Sequence, residues 1–117
     1  MYTSFTEFPV WQKALDIAAT VFQLTTSLPR SEDYGLTSQI RRSSNSVCGN
    51  VAEGFGRKTK KDKSNFYIIA RSSAFETQSH LLYGHKIGYF QIETIQKINI
   101  DYNALIYELN KIIKSLE

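Results

Sequence analysis

A run of basic side chains occupies the middle of the sequence, in the stretch RKTKKDK from Arg57 to Lys63. Residues 41–71 include eight basic and two acidic residues, a balance of +6, whereas the rest of the chain has six basic and nine acidic residues. A positive field confined to one region is typical of a surface that binds a polyanion. The sequence therefore predicts a nucleic-acid-binding surface made of Arg41, Arg57, Lys58, Lys60, Lys61 and Lys63.

The same stretch also fits a solvated turn between two helices. Gly54 and Gly56 are predicted to end one helix in the left-handed conformation, and Thr59 is placed to cap the next helix. Lysines in the first turn of a helix are disfavoured by its dipole, by a few tenths to about 1 kcal/mol each. Local stability therefore does not explain why lysines occupy this turn. Attraction of a phosphate backbone would explain their presence.

A second set of polar residues follows one face of a predicted helix at steps of three and four, and a partner set lies on a later helix. Such residues form either a buried, mutually satisfied network or a ligand pocket, and the network is favoured because charged partners are present. Removing one acid from a buried network costs about 3–5 kcal/mol. The predicted network comprises Arg42, Ser46, Asn50, Glu53, Ser73 and Glu76, with Arg57 as a further partner.

Residues for other chemistries are sparse. The two histidines, His80 and His85, do not follow a carboxylate at the three-residue spacing of di-iron helices. Cys48 is the sole cysteine, which excludes an intramolecular disulfide and is typical of a reducing cytosol. No nucleophile elbow, phosphate-binding loop or dinucleotide fingerprint is present. We therefore predict no catalytic residue, metal site or cofactor, and a non-enzymatic protein.

Four amphipathic helical segments must position these residues. The first begins at Pro9 and is closed by Pro29; the second, capped by Ser31, runs to the glycines before Arg57; the third runs from Thr59 towards residue 88. No period-two alternation indicates a strand. The sequence predicts one all-α domain over residues 1–117, an antiparallel up-down four-helix bundle. The fourth segment has a heptad seam of Ile95, Ile98, Tyr102, Leu105, Leu109, Ile112 and Leu116.

Apolar residues exceed what one core face needs. The surplus is either a wide core stripe or an intermolecular surface, and the second favours an oligomer. The residues outside the seam or expected at the surface are Ile100, Ile106, Ile113, Tyr107 and Phe75.

The first residues lack the features of a signal peptide, and no apolar run could span a bilayer. A cytoplasmic protein without a membrane partner is therefore expected.

Several motifs together resemble the four-helix-bundle proteins of the 23S rRNA intervening-sequence family. They are RRSSNSVCGNVAEGFGR at residues 41–57, WQKA at residues 11–14 and ARSSAFE at residues 70–76. Ser43, Ser44 and Ser72 depart from the small apolar residues usual there. The resemblance implies a bacterial cytosolic bundle that assembles as a homopentamer and has no enzymatic activity. The chain is also similar to accessory proteins of diversity-generating retroelements. In those proteins a basic surface engages RNA and a reverse transcriptase. The partners to consider are therefore self, RNA or DNA, and protein.

Overall fold

Four α-helices separated by short connections account for most of the chain in the computed structural model, which describes residues 1–117 and contains no strand. The predicted all-α bundle is confirmed. None of the helices is long and apolar enough to cross a membrane. The helices are α1 (Pro9–Thr25), α2 (Leu36–Gly56), α3 (Lys60–Lys86) and α4 (Ile92–Ser115), with 3-10 turns at Phe5–Glu7 and Arg30–Glu32.

Two of the predicted helix starts are confirmed. Pro9 occupies the first turn of α1, where a missing N–H is no loss. Thr59 caps α3, because its hydroxyl oxygen accepts a hydrogen bond from the Asp62 N–H at 3.1 Å. The predicted cap of α2 is wrong: Ser31 lies in the preceding 3-10 turn, and the Glu32 carboxylate accepts from the Leu36 N–H at 3.1 Å instead.

The glycines at the end of α2 play a different part from the one predicted. The left-handed conformation occurs at Gly88 alone, with φ of +93°, so neither Gly54 nor Gly56 ends α2 in that way. Gly54 is buried, and a Cβ there would lie 2.6 Å from Cε1 of Tyr67 on α3. This glycine is required by the close approach of α2 and α3. The helix ends because Arg57 adopts an extended backbone.

Side-chain contacts between neighbouring helices fix an antiparallel arrangement. Arg71 Nη1 donates to Asn110 Oδ1 at 2.8 Å, and Gln78 Nε2 donates to Asn103 Oδ1 at 2.8 Å, so the residue number rises along α3 as it falls along α4. Contacts from α2 to α3 run in the same antiparallel sense, and the Arg41–Thr25 contact joins the end of α1 to the first turns of α2. The bundle measures 43 × 24 × 21 Å, and its most extensive helix pair is α2 with α3.

The buried stripe of α4 drifts along the helix. It starts on the predicted seam, from Ile95 to Leu109, but Ile106 and Ile113 are then buried while Ile112 and Leu116 are partly exposed. At about 100° per residue, positions 11 and 18 residues beyond Ile95 return to within about 20° of its direction. Of the two interpretations of the surplus apolar residues, the wide core stripe therefore holds for Ile106 and Ile113.

The α2–α3 seam is polar in its centre. Ser43 and Ser44 are buried, and their hydroxyls donate to carbonyl oxygens one turn earlier, at 3.2 and 3.3 Å. The Thr77 hydroxyl lies 2.8 Å from the Ser43 hydroxyl and 2.8 Å from the Ser73 carbonyl oxygen. Hydroxyls that bond within the helices can replace apolar residues in the core without leaving unpaired groups.

Candidate nucleic-acid interface

The turn between α2 and α3 carries the free cations of the predicted binding surface. Lys58, Lys60 and Lys61 are exposed, and their ammonium groups make no hydrogen bond or ion pair within the chain. They lie within four residues of one another, around the N-terminus of a 27-residue helix. The helix dipole adds to their positive potential. These three lysines form the part of the molecule best suited to contact phosphates, and we call them the turn lysines.

Lys63 has a structural role that sequence reasoning missed. Its ammonium donates to the Phe55 carbonyl oxygen at 2.7 Å and lies 3.4 Å from the Gly54 carbonyl oxygen. Both carbonyls belong to the last turn of α2; the Gly54 carbonyl also accepts from the Arg57 N–H at 3.2 Å, whereas the Phe55 carbonyl depends on Lys63. A lysine in the first turn of α3 is therefore explained by capping of α2, contrary to the argument from the helix dipole alone.

Arg57 is partly neutralised. Its guanidinium lies over the Phe66 ring, 4.5 Å from the ring centroid, and one nitrogen is 3.4 Å from a carboxylate oxygen of Glu53. Stacking on the ring fixes the side chain against the bundle, and the carboxylate offsets its charge. Arg57 therefore borders the turn lysines but contributes less positive field than they do.

Arg41 lies elsewhere on the bundle. It precedes Arg57 by sixteen residues on the same helix, a distance of about 24 Å at 1.5 Å per residue. Its guanidinium lies 4.1 Å from the centroid of the Phe22 ring, and its Nε donates to the Thr25 hydroxyl at 2.8 Å. The predicted set is thus divided between the two ends of α2, a separation that the sixteen-residue spacing on one predicted helix already implied.

The residues of the predicted polar network fall into two short chains of contacts and a separate Glu53–Arg57 pair. In one, Glu76 pairs with Arg42 across the α2–α3 junction and lies 3.1 Å from Nε2 of His80. In the other, the hydroxyls of Ser46 and Ser73 are 2.9 Å apart, and the Asn50 amide donates to Ser46 Oγ at 2.9 Å. The missed member is His80, one helical turn after Glu76.

The charged members of this network are not buried as expected. The side chains of Arg42 and Glu76 are 55% and 37% exposed, and Glu53 is 59% exposed and pairs with Arg57 alone. Desolvation raises the pKa of Glu76, but the hydrogen bond from His80 and the charge of Arg42 outweigh it and lower that pKa overall. None of the hollows on the surface is lined by residues of the predicted network.

Groups for metal or thiol chemistry do not converge. No three side chains of histidine, cysteine, aspartate or glutamate are grouped so that they could hold a metal ion. Cys48 is buried on α2, and burial raises the pKa of its thiol, which disfavours the reactive thiolate.

A broad apolar face covers the outer side of the α3–α4 pair. By the register of the Arg71–Asn110 and Gln78–Asn103 contacts, Phe75 lies level with Tyr107, and both are more than half exposed. On each helix the exposed apolar residues next to Phe75 and Tyr107 lie seven residues away. This seven-residue spacing is the feature of the sequence that indicates a second seam. We call this the α3–α4 face; it consists of Ile68, Phe75, Leu82, Ile100 and Tyr107.

The opposite side of the bundle has a different shape. Leu15 and Phe22, again seven residues apart, are exposed on α1 beside a hollow of about 360 Å³. The residues between them and α2 are small, which leaves room for a large side chain. This α1–α2 face is lined by Leu15, Ala18, Ala19, Phe22, Arg41, Ser44 and Asn45.

Comparison with known proteins gives a family and a fold. The family model described as 23S rRNA-intervening sequence protein matches residues 6–113. A crystal structure of a protein of unknown function from the S23 ribosomal protein family of Bacteroides thetaiotaomicron is 26% identical, with a TM-score of 0.80. The match covers 90% of this chain and 98% of that chain. No curated protein is significantly similar to the chain.

Proposed function

The chain belongs to the 23S rRNA-intervening sequence protein family, and we propose that it is a non-enzymatic, oligomeric protein that binds nucleic acid with low sequence specificity. RNA is the favoured ligand because the family description refers to 23S rRNA. The proposal that it is not an enzyme is supported by the buried thiol and by the absence of any cluster of metal-ligating residues. The predicted cytoplasmic location is consistent with this role and remains a prediction.

The observation that carries this proposal is the group of three unpaired lysines at one end of the bundle. Cations that no carboxylate neutralises are available to phosphates, and each neutralised phosphate releases counterions. The turn presents no residues arranged to read base edges, so the contacts are to the backbone. Binding should then depend steeply on salt and weakly on sequence.

Self-association is the second part of the proposal. The α3–α4 face carries large apolar side chains, and the α1–α2 face on the opposite side offers a hollow among small ones. Complementary surfaces on two sides of one subunit fit a head-to-tail contact, which closes into a ring when the rotation permits. A homopentamer of this kind, which the family resemblance implies, would present five sets of turn lysines. Multiple contacts of this type raise avidity without any new interaction.

Filter binding of a structured RNA at 50 and 200 mM salt tests the nucleic-acid proposal. The variant with Lys58, Lys60 and Lys61 all changed to glutamate should lose binding at both salt concentrations. The matched control changes Arg30, Lys86 and Lys97 to glutamate, which alters net charge equally at the other end of the bundle. Unchanged RNA affinity in the turn variant, or equal loss in both variants, would contradict the assignment.

A protein-interaction scaffold is the second candidate function. It applies if the α3–α4 face, where five large apolar side chains are exposed in two parallel rows, is covered by a different protein instead of by a second subunit. Monomeric proteins rarely leave extended apolar patches in water. A pull-down from a bacterial lysate, with and without nuclease, separates the two candidates: a protein captured despite nuclease treatment supports the scaffold, and capture that nuclease abolishes supports nucleic-acid binding.

A further inference from the structure

We propose that the turn lysines and the exposed aromatic rings before α1 together bind an unpaired RNA strand, with its phosphates on the lysines and a base stacked on Tyr2. This inference rests on the proposed function and deepens it, because it names a single strand as the form of nucleic acid bound at this end of the bundle. It predicts binding that accepts any base, since every base has a face that can stack on a ring.

Aromatic contacts bring the segment before α1 to the end of the bundle that carries the turn lysines. The Phe8 ring lies 5.7 Å from the Phe55 ring on α2 and 6.2 Å from the Tyr67 ring on α3, measured between centroids. The Tyr2 ring lies 5.7 Å from the Phe8 ring. Two ring contacts in succession therefore join Tyr2 to the last turn of α2, immediately before the turn.

Two rings of this segment are open to solvent. Tyr2 is 47% exposed and Phe5 is 36% exposed. The Phe5 ring meets Trp11 at a centroid distance of 5.0 Å and an angle of 77°, so it is supported from one side. Neither exposed ring lies beneath a guanidinium or ammonium group, in contrast to Phe66, which Arg57 covers. Their free surfaces are available for a base.

Hydrogen bonds within the segment hold these rings in place. The Glu7 carboxylate accepts from the Thr3 N–H at 2.8 Å and from the Thr3 hydroxyl at 3.1 Å. The Ser4 hydroxyl oxygen accepts from the Thr6 N–H at 3.2 Å. A chain segment tied down in this way presents Tyr2 in a fixed position, so little conformational entropy is lost when a base stacks on it.

The cations lie within reach of the same strand. Lys58 follows Phe55 by three residues, a span of at most about 11 Å of backbone. Its ammonium, like those of Lys60 and Lys61, has no ion-pair partner within the chain. A strand held by these lysines therefore reaches Tyr2 within a few nucleotides. Cations that follow the backbone, beside rings that stack with bases, are the combination that binds single strands.

The strength of stacking decides between a single strand and a duplex. The logarithm of affinity falls with the logarithm of salt by about 0.9 per phosphate for a duplex and about 0.7 for a single strand. For three phosphates, with equal non-ionic contributions, charge alone makes duplex binding about fourfold tighter at 0.1 M salt. Stacking of one base on a ring contributes roughly fivefold to a hundredfold, which exceeds that ratio. A duplex keeps its bases in its own stack and gains nothing from the ring.

The test compares three RNA ligands at 0.1 M salt and one protein concentration: an unstructured strand of about 12 nucleotides, an abasic strand of the same length, and the corresponding duplex. The abasic strand has the same phosphates and no bases. The unaltered protein should bind the natural strand at least about fivefold more tightly than the abasic strand, and at least as tightly as the duplex.

Variants identify the ring. Tyr2→Leu keeps an apolar side chain against Phe8 and removes the ring, so it should weaken binding of the natural strand by about fivefold or more. Its affinity for the abasic strand should change by less than twofold, which also shows that the variant is folded. Tyr34→Leu is the matched control, because Tyr34 is a fully exposed tyrosine that precedes α2 at the opposite end of the bundle. It should alter neither affinity.

Equal affinity of the unaltered protein for the natural and abasic strands would overturn the inference while leaving the proposed function in place. So would tighter binding of the duplex than of the natural strand, or an effect of Tyr2→Leu no larger than that of Tyr34→Leu. If none of the three ligands binds, or if glutamates at Lys58, Lys60 and Lys61 leave binding unchanged, the proposed function itself is wrong.

Discussion

The ammonium of Lys63 donates a 2.7 Å hydrogen bond to the carbonyl oxygen of Phe55, across the turn that joins α2 to α3. The bond ties the first turn of one helix to the last turn of the other, and so fixes the corner on which the turn lysines sit. A lysine that the sequence assigned to binding is thus part of the scaffold that presents the others.

Lys63→Met should lower stability and spare RNA binding. It removes a charged donor from the Phe55 carbonyl, which has no backbone donor, at an expected loss of about 1 kcal/mol, or about 4 °C in melting temperature. Lys61→Met is the matched control and should change stability by less than about 0.5 kcal/mol while weakening RNA binding. Thermal melts at one protein concentration, with RNA titrations, check both variants. Equal effects on stability would contradict the capping role.

Gly54→Ala should be strongly destabilising. The new Cβ would lie 2.6 Å from the Tyr67 ring, so either α2 or Tyr67 must move, and overpacking of this kind costs about 1–3 kcal/mol. Gly49→Ala is the control, because a Cβ there meets nothing within 4 Å and gains up to about 1 kcal/mol of helix propensity. Denaturant unfolding of the two variants should therefore give changes of opposite sign. A stabilised Gly54→Ala protein would show that the α2–α3 contact is looser than described.

Glu76→Gln should destabilise the protein more than Glu53→Gln does. Glu76 joins α2 to α3 through Arg42, whereas Glu53 pairs within one helix with Arg57. Both carboxylates are exposed, so we expect about 1 kcal/mol or less for Glu76 and about 0.3–0.5 kcal/mol for Glu53. These values replace the 3–5 kcal/mol expected for a buried network. Melts of both variants at neutral pH measure the order, and a larger loss for Glu53→Gln would contradict it.

The same carboxylate gives a prediction for acid stability. The pKa of Glu76 is lowered in the folded protein, since the hydrogen bond from His80 and the charge of Arg42 outweigh its desolvation. Its contribution to stability is therefore present above the unfolded pKa of about 4.5 and is lost as pH falls through the lower folded value. Glu76→Gln should flatten this part of the pH–stability curve. A curve parallel to that of the unaltered protein between pH 5 and 2 would refute the coupling.

Tyr102→Phe should not destabilise the bundle at neutral pH. The Tyr102 hydroxyl is buried and makes no hydrogen bond of normal geometry, since the neighbouring Thr77 hydroxyl is engaged with Ser43 and Ser73. Removing an unsatisfied polar group is neutral or stabilising. Burial also raises the pKa of Tyr102, so the unaltered protein loses stability as pH rises above about 10, where the unfolded tyrosine ionises. The variant should lose less over that range. Urea unfolding at pH 7 and 10.5 measures both effects, with the exposed Tyr107→Phe as control.

Head-to-tail assembly makes a prediction about mixtures. Phe75→Glu disables the α3–α4 face and Leu15→Glu disables the α1–α2 face, so each variant alone should elute as a 13.4 kDa monomer. Each variant still keeps the face that the other lacks. An equimolar mixture should therefore form a heterodimer of twice that mass, measured by light scattering. A mixture that stays monomeric, or single variants that still assemble, would contradict this pairing of faces.

The sequence by itself determined the helices and most of their buried faces. Apolar spacing, Pro9, Thr59 and the break before residue 60 are local signals, and each acts over a few residues of one chain segment. The motif from residue 41 to residue 57 likewise identified the family that the family model then confirmed. Periodicity was less reliable along α4, where the difference between 3.5 and 3.6 residues per turn brought Ile106 and Ile113 into the core.

Only the tertiary structure decided which polar residues meet. Whether Lys63 faces a phosphate or the carbonyl of Phe55 depends on how the corner between α2 and α3 is closed. Whether Glu76 meets Arg42 depends on the register of two helices. Residue spacing gives an angle around one helix axis, but contacts between helices also require an axial level and a distance. Those quantities are set by packing, such as the fit of Gly54 against Tyr67, which no single segment of the sequence contains.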